Sequence, residues 1–211
     1  MKKMAGSGKA ISFIGLPCKT ENQQKMGKFF EAIQPHHISF IEKQHLFFVS
    51  TAPLAADGHI NLSPKGLDSF KVLGPDKVAY MDLISSGNET SAHTLENGRI
   101  TFMFCSFDKT PNILRLYGKG FTVLRNSEEW GQYASNFTIY PSTRQIIVAT
   151  IDLVQTSCGF GVPLYSYEGE REIHFDWAET KGDTGLKEYI EKNNLISLDG
   201  MATPIGMNQI S

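Results

Sequence analysis

A short polar loop between two β-rich segments, within residues 60–105, constrains the fold of this chain more than any other stretch. Residues 78–83 and 99–105 are rich in β-branched and aromatic side chains. Between them, residues 85–93 read Ser-Ser-Gly-Asn-Glu-Thr-Ser-Ala-His and lead into a helix-like run that ends at Asn97-Gly98. At a helix start that follows a strand, free backbone N–H groups and the positive end of the helix dipole converge and favour an anion. The loop therefore predicts a phosphate site for a cofactor.

The same loop also has a simpler interpretation. Ser, Asn and Thr are common in turns and at helix N-caps, so residues 85–90 could form an ordinary strand-to-helix connection. In that case Asn88 or Thr90 would be the cap. The residues alone leave both interpretations open.

Bulk properties exclude several classes of protein. With 211 residues the chain is long enough for one domain with a sizeable core. Its net charge of −2 gives no basic field for nucleic acid or an anionic membrane surface. The sequence contains no apolar run of about 20 residues, so we predict no membrane span. Residues 1–19 lack a signal-peptide pattern and are predicted to be a flexible leader of a cytoplasmic protein.

Cysteine and histidine usage gives little support for a metal site. Cys18, Cys105 and Cys158 are widely spaced and form no C-x-x-C motif, so neither a disulfide framework nor a zinc site is expected. Cys105 lies in an apolar strand and is predicted to be a buried, inert thiol. Cys158 could be a redox thiol or a packing residue. The pair His36-His37 is interpreted as a surface or capping feature, because adjacent helical residues point apart.

The remaining elements follow from periodicity and turn residues. Helices are predicted over 20–33, which Pro35 stops, and over 38–42, 126–137 and 184–192. A short apolar segment at 70–73 precedes a Gly-Pro-Asp turn. Strands are predicted over 46–52, 60–63, 78–83, 99–105, 113–124 and 146–154. Consecutive antiparallel strands with few helices indicate a small closed or split barrel.

Several motifs, taken in their order and spacing, resemble the pyridoxamine 5'-phosphate oxidase-like, FMN-binding split-barrel family. The resemblance spans about residues 41–163. It is carried by Ile60–Gly66, Ser86–Thr90 with His93, Asn97–Ile100, Leu114–Gly118 and Ser157–Pro163. It implies a mainly β (α+β) fold, a six-stranded antiparallel split β-barrel with peripheral helices. The chain would then be a single FMN-binding domain, with N-terminal helices over 20–44, a barrel core over 45–163 and a C-terminal helix and tail over 164–211.

The resemblance also implies a homodimer with two FMN molecules at the subunit interface. Cofactor contacts carried over from the family fall on two strand positions and on the polar loop, namely Asn61, Ser63, Ser85, Ser86, Gly87, Asn88 and Thr90. Lys65 corresponds to a lysine that faces the substrate phosphate in pyridoxamine oxidases, and here it could pair with either phosphate. His93 and Arg115 complete the predicted cofactor-binding set. His93 is alternatively a surface histidine, and Arg115 an outward charge on its strand.

Departures from the family pattern argue against pyridoxamine oxidase activity itself. Glu89-Thr90 stands where pyridoxamine oxidases usually carry an Arg-Lys pair in the phosphate loop. Arg171-Glu-Ile-His174 is a poor match to their Arg-x-His segment, and residues 201–211 contain no arginine. Trp130 and Trp177 could stack on a flavin, although simple packing is the alternative.

The function that these expectations favour is hydride or electron transfer through FMN, to or from a small unidentified substrate. The cofactor would carry the chemistry and the protein would position it. No side chain stands out as a general acid or base. The alternatives are a non-catalytic flavin-binding, flavin-storage or redox-sensing protein, or the same barrel holding the deazaflavin F420 or haem.

Overall fold

The computed structural model describes residues 27–210, in which eight strands form one antiparallel sheet. The strands are β1 Gly27–Phe30, β2 Phe47–Thr51, β3 Asn61–Lys65, β4 Phe70–Val72, β5 Lys77–Leu83, β6 Arg99–Cys105, β7 Ile113–Leu124 and β8 Thr143–Ser157. The helices are α1 Pro35–Ile41, α2 Glu89–Glu96, α3 Trp130–Ala134, α4 Ile173–Asn193 and α5 Pro204–Ile210. The order β3-β2-β6-β7-β8-β5-β4 makes a curled half-barrel, and β1 adds to β8. The predicted split-barrel fold is confirmed, with eight strands rather than six.

The long strand β8 organises the sheet. One of its edges pairs with β7 over nearly its whole length. Its other edge is shared, because β5 pairs with residues 143–150 and β1 pairs with residues 154–157. A single 15-residue strand therefore supplies pairing partners on both of its edges.

Alternating side chains divide the core between the two faces of the sheet. One face closes around a large cluster that includes Val49, Phe102, Leu116 and Ile147, all fully buried. The opposite face of β5, β7 and β8 packs under α3 in a second cluster around Ile146. This period-two pattern is what a sheet buried on both faces requires. None of the helices within residues 27–210 is both long enough and apolar enough to cross a bilayer.

The predicted helix over residues 20–33 is wrong where the structure describes it. Residues 27–30 form β1, which pairs with the end of β8 from Gly27 opposite Ser157 to Phe30 opposite Val154. The apolar spacing of Phe29, Phe30 and Ile33 fits a helix, but β8 extends beyond β5 and offers an open edge. Backbone pairing with that edge overrides a weak local preference. Residues 20–26 and the leader lie outside the described residues.

Other element boundaries differ from prediction at their ends. Pro35 was predicted to stop a helix, but it is the first residue of α1. Proline is tolerated there because the N–H group that it lacks would have no partner in the first turn of a helix. The helix predicted at 126–137 shrinks to α3. The helix predicted at 184–192 extends back to residue 173, with a kink at Gly182, whose φ is 59°.

Candidate functional site

The polar loop connects β5 to α2 and ends at the N-cap residue of that helix. Asn88 occupies the N-cap position of α2, yet its side chain makes no capping hydrogen bond. Instead, Asn88 Nδ2 donates to the carbonyl of Asn194 at 3.2 Å, and Asn88 Oδ1 accepts from Gln145 Nε2 at 2.7 Å. The interpretation of Asn88 as an ordinary cap is therefore wrong. The N–H groups of the first turn, which helix geometry leaves without helical partners, are not taken by the cap side chain.

Beneath the loop, one buried carboxylate binds two cations. The side chain of Asp82 is 3% exposed, and its Oδ2 accepts from Arg144 Nη2 at 2.6 Å and Nε at 3.1 Å. Its Oδ1 lies 3.1 Å from Lys65 Nζ. Gln145 Nε2 donates to Oδ2 at 2.8 Å. Burial alone would raise the pKa of Asp82, but the Arg144 and Lys65 cations and the hydrogen bonds from Arg144 and Gln145 lower it to about 2.

Arg144 also fixes the loop directly. Its Nη1 donates to the carbonyl of Gly87 at 2.9 Å, so one guanidinium joins Asp82 on β5 to the loop that follows the same strand. Neither Arg144 nor Asp82 was predicted to belong to the site. The one sequence signal was a charge inside each apolar strand, since a buried charge requires a partner.

Alternate side chains of β3 face the same space. Asn61 Nδ2 donates to Thr90 Oγ1 at 2.9 Å and to Thr51 Oγ1 at 3.2 Å. Ser63 Oγ donates to Asn61 Oδ1 at 3.1 Å. Because residues two apart on a strand share a face, Asn61, Ser63 and Lys65 form a polar wall opposite the loop.

These groups enclose a cavity of about 320 Å³, called here the loop cavity. Its lining residues are Asn61, Ser63, Lys65, Asp82, Ser85, Ser86, Gly87, Asn88, Glu89, Thr90, Arg144 and Leu198. The structure thus brings eight of the ten predicted site residues together. The charged members are two cations and two carboxylates. One of the carboxylates, Asp82, is already paired with both cations.

Two predicted site residues lie elsewhere. His93 is 1% exposed and sits below the loop cavity, where its Nδ1 is 2.9 Å from Thr51 Oγ1. Burial lowers the pKa of His93 despite the nearby Glu89 carboxylate, and so disfavours the protonated ring that could offset that charge. The surface alternative for His93 is wrong, because its side chain is buried. Arg115 does not line the loop cavity, and its Nη1 donates to Ser157 Oγ at 3.1 Å.

Glu89, which stands where the family pattern has a basic residue, binds a backbone N–H group of a distant segment. Both carboxylate oxygens accept from the backbone N–H of Leu198, at 3.1 and 3.0 Å. Leu198 lines the loop cavity and is 73% exposed. A residue more than 100 positions further along the chain therefore contributes to the loop cavity, although no residue beyond Arg115 was among the predicted cofactor contacts.

The remaining candidates from the sequence lie outside the loop cavity. Trp130 packs on the second core cluster, and Trp177 contacts Tyr189 with ring centroids 5.2 Å apart. Burial raises the pKa of the Cys105 thiol, in agreement with an inert buried cysteine. Cys158 is exposed. His37 accepts from the backbone N–H of Gln34 at 3.0 Å, which confirms the capping interpretation of the histidine pair.

Comparison with known proteins gives one close sequence relative and several distant structural ones. No family model matches the sequence. The chain is 46% identical over 192 residues to the pyridoxamine 5'-phosphate oxidase family protein ustO of Aspergillus flavus, an alignment that covers 82% of this chain and 76% of the relative.

The solved structures that resemble the chain do so at low sequence identity. A putative pyridoxamine 5'-phosphate oxidase from Lactobacillus delbrueckii aligns with a TM-score of 0.47 and 11% identity, over 59% of this chain and 94% of that one. An FMN-binding protein from Syntrophomonas wolfei aligns with a TM-score of 0.40 and 18% identity, over 56% and 80%. The haem storage protein HutZ from Vibrio cholerae aligns with a TM-score of 0.41 and 15% identity, over 61% and 97%.

Proposed function

Because the chain belongs to the pyridoxamine 5'-phosphate oxidase family, we propose that it binds FMN in the loop cavity and acts as an FMN-dependent oxidoreductase on a small molecule. The observation that carries the proposal is the cap of α2. Asn88 is directed into the protein, so the N–H groups of the first turn are left to an anion, while two cations line the same cavity.

Each group around the loop cavity has a role toward a phosphate. The hydroxyls of Ser85, Ser86 and Thr90 and the N–H groups of the first turn of α2 would donate hydrogen bonds to phosphate oxygens. Lys65 and Arg144 would supply positive charge, and Asp82 holds both cations in place before the phosphate arrives. Such preorganisation lowers the cost of ordering long side chains on binding.

When bound, FMN supplies hydride or electron transfer, and the protein supplies position and electrostatics. Asp82, with a pKa of about 2, stays ionised at neutral pH and donates no proton. Its work is to orient Arg144, which in turn fixes the Gly87 carbonyl at 2.9 Å. The polar wall on β3 would bound the cofactor on the opposite side.

Oxidation of pyridoxamine phosphate itself is not part of the proposal. Arg171 is exposed, and His174 Nε2 is engaged 3.1 Å from Ser142 Oγ. We therefore propose a different small molecule as the substrate, and we assign no residue as its general acid or base.

A second copy of the chain would complete the site. Strand register aligns Leu62, Ser50, Thr101, Tyr117 and Leu153 in one row across the outer face of the sheet, and none of the five is charged. Leu62 is 63% exposed and its neighbour Ile60 is 75% exposed, and both alternate with the residues of the same segment that line the loop cavity. An uncharged row with an exposed leucine at each end, on the strand that also contributes to a ligand cavity, favours a protein interface there. We propose a homodimer with FMN at this interface.

A flavin-binding protein without turnover is the second candidate. What favours it is the chemistry of the loop cavity, where the titratable residues are Lys65, Asp82, Glu89 and Arg144. The cations and Asp82 are already joined to one another, and Glu89 is bound to a backbone N–H. This set suits holding an anion more obviously than moving a proton.

An absorbance spectrum of the freshly purified protein tests the proposal, followed by heat release and identification of the cofactor. We expect a flavin spectrum and about one FMN per chain, given one loop cavity per chain. Reduction by NADH, NADPH or another donor, with turnover, would then separate the oxidoreductase from the storage protein. A haem or deazaflavin spectrum, or a colourless protein that does not bind added FMN, would refute the assignment of FMN.

A further inference from the structure

Residues 195–203 form a tight hairpin that follows α4, called here the C-terminal hairpin. Ile196 bridges Ala202, and Ser197 N donates to the carbonyl of Met201 at 2.8 Å. Gly200, with a φ of 77°, closes the turn in a left-handed conformation that favours glycine. Thr203 N returns to the carbonyl of Leu195 at 3.0 Å, so the segment holds its own shape.

The C-terminal hairpin and the residue before it form hydrogen bonds with the polar loop along its whole length. At the start of the loop, Asn194 Nδ2 donates to the carbonyl of Ser85 at 3.0 Å. In the middle, Asn88 Nδ2 donates to the carbonyl of Asn194. At the end, both oxygens of Glu89 accept from Leu198 N. The loop therefore depends for its position on a segment more than 100 residues away in sequence.

A second anchor joins the hairpin to the start of β3. Asp199 Oδ2 accepts from the backbone N–H of His59 at 2.8 Å, and Asp199 Oδ1 lies 2.6 Å from His59 Nδ1. Between the two anchors, the side chain of Leu198 projects beside the loop cavity with 73% exposure. The hairpin thus joins the polar loop to the segment that leads into β3.

From these contacts we propose that Glu89 is a positioning residue, which holds the C-terminal hairpin across the loop cavity so that the hairpin forms one wall of the cofactor site. The inference rests on the proposed function, since the wall matters only if a cofactor binds there. It accounts for a carboxylate beside a phosphate site, where its charge alone would repel the ligand. We therefore expect the bond to Leu198 N to contribute more to cofactor binding than the repulsion costs.

Two substitutions at Glu89 separate anchoring from charge, because they shift affinity in opposite directions. Glu89→Ala removes both the anchor and the charge, and we expect FMN affinity to fall at least about fivefold, the loss typical of one or more hydrogen bonds. Glu89→Gln keeps an acceptor for Leu198 N and removes only the charge, and we expect FMN affinity to rise about twofold or more. Quenching of flavin fluorescence on titration of the apo dimer measures both.

A second anchor variant and a matched control complete the design. Asp199→Ala releases the hairpin at β3 and should also weaken FMN, although it too removes a negative charge. Asp57→Ala removes an exposed carboxylate near His59 that contacts neither hairpin nor loop, and FMN affinity should not fall. Hydrogen exchange of the peptide covering residues 195–203, measured without cofactor, should accelerate in Glu89→Ala and Asp199→Ala but not in Glu89→Gln.

The outcomes distinguish this inference from the proposed function. If the wild-type chain binds FMN and Glu89→Ala binds it as tightly or more tightly, Glu89 is only a neighbouring charge and the inference fails alone. If exchange in residues 195–203 is unchanged in Glu89→Ala, the anchor is refuted in the same way. If the wild-type chain does not bind FMN, the proposed function and this inference both fall.

Discussion

Asp82 keeps a full negative charge at a position where 3% of its side chain is exposed. Its partners are two cations and an amide, and Arg144 in turn is 2% exposed at its side chain. Buried ion pairs of this kind contribute little net stability, but the loss of one partner leaves an uncompensated buried charge. Their value here is positional, because the pair joins β5, β8 and the polar loop.

Arg144→Met is therefore expected to destabilise the protein by about 3–5 kcal/mol, since Asp82 would remain buried without its main partner. Urea unfolding measures the change in the free energy of unfolding. Adding Asp82→Asn to Arg144→Met should recover part of the loss, because the stranded charge is removed. Arg171→Met, at an exposed arginine, should change stability by no more than about 0.5 kcal/mol. A change in the free energy of unfolding as small as this for Arg144→Met would show that the buried ion pair does not have the predicted importance.

His37 is expected to make stability fall on mild acidification. Desolvation by burial lowers the pKa of His37 from 6.5 to about 4, with the neighbouring His36 adding to the effect. Below about pH 6.5, His37 binds a proton in the unfolded chain but not in the folded chain. The free energy of unfolding therefore decreases as pH falls from 6.5 to 4. His37→Gln keeps an acceptor for Gln34 N–H and removes the titration, so unfolding at several pH values should show a shallower slope in this range.

The exposed neighbour His36 provides the control for that experiment. His36→Gln should leave most of the pH dependence in place, because it leaves the buried ring. If the two variants lose the same share of the slope, burial of His37 is not its cause.

At the scale of elements, β7 and β8 pass unusually close to each other at one point. Their register shifts between Tyr117 and Gly118, and a Cβ added at Gly118 would overlap the Thr150 carbonyl oxygen. Glycine is needed there for close backbone approach rather than for a positive φ.

Gly118→Ala should cost at least about 2 kcal/mol, because the obstacle is backbone and one of the two strands must move. Gly131, within α3, has no atom within 4 Å of an added Cβ. Gly131→Ala should therefore raise stability by up to about 1 kcal/mol through helix propensity. Thermal unfolding of the two variants gives the comparison, and a Gly118→Ala protein as stable as the wild type would refute the close approach.

The elements that sequence reasoning located are those with a strong local signal. The alternation in 99–105 and 113–124 predicted β6 and β7 to within a residue, and the polar loop was placed between β5 and α2, although α2 begins already at Glu89. β1 could not be predicted, because what decides its conformation is an open edge of β8 over 120 residues later.

The same limit applies to the candidate site. Eight predicted residues converge because they lie on two neighbouring local motifs. Arg144 was missed because only the register of β5 with β8, in which Asp82 lies opposite Gln145, brings it to the loop. Glu89 could be recognised as a departure from the family pattern, but its partner Leu198 is set by tertiary structure alone.

At the scale of the whole molecule, the outer row containing Leu62 is expected to be the dimer contact. Leu62→Lys places a charge in that row and should shift the protein from dimer to monomer. FMN binding should weaken at the same time, since the partner subunit would no longer contact the cofactor. Light scattering and flavin fluorescence on the same samples measure the two effects. Met207→Lys, at an exposed apolar residue of α5, should change neither. A monomeric Leu62→Lys that retains FMN at full affinity would contradict a cofactor site shared between subunits.

The position of β8 along the chain has a consequence for synthesis. β8 begins at residue 143, after each of its three partners β1, β5 and β7. A nascent chain that has emerged from the ribosome only through β7 therefore carries three strands with open edges, which are prone to pair with other chains. Because Arg144 arrives on the same strand, the loop cannot take its final shape earlier. If the proposed function holds, cofactor loading would therefore follow the docking of β8.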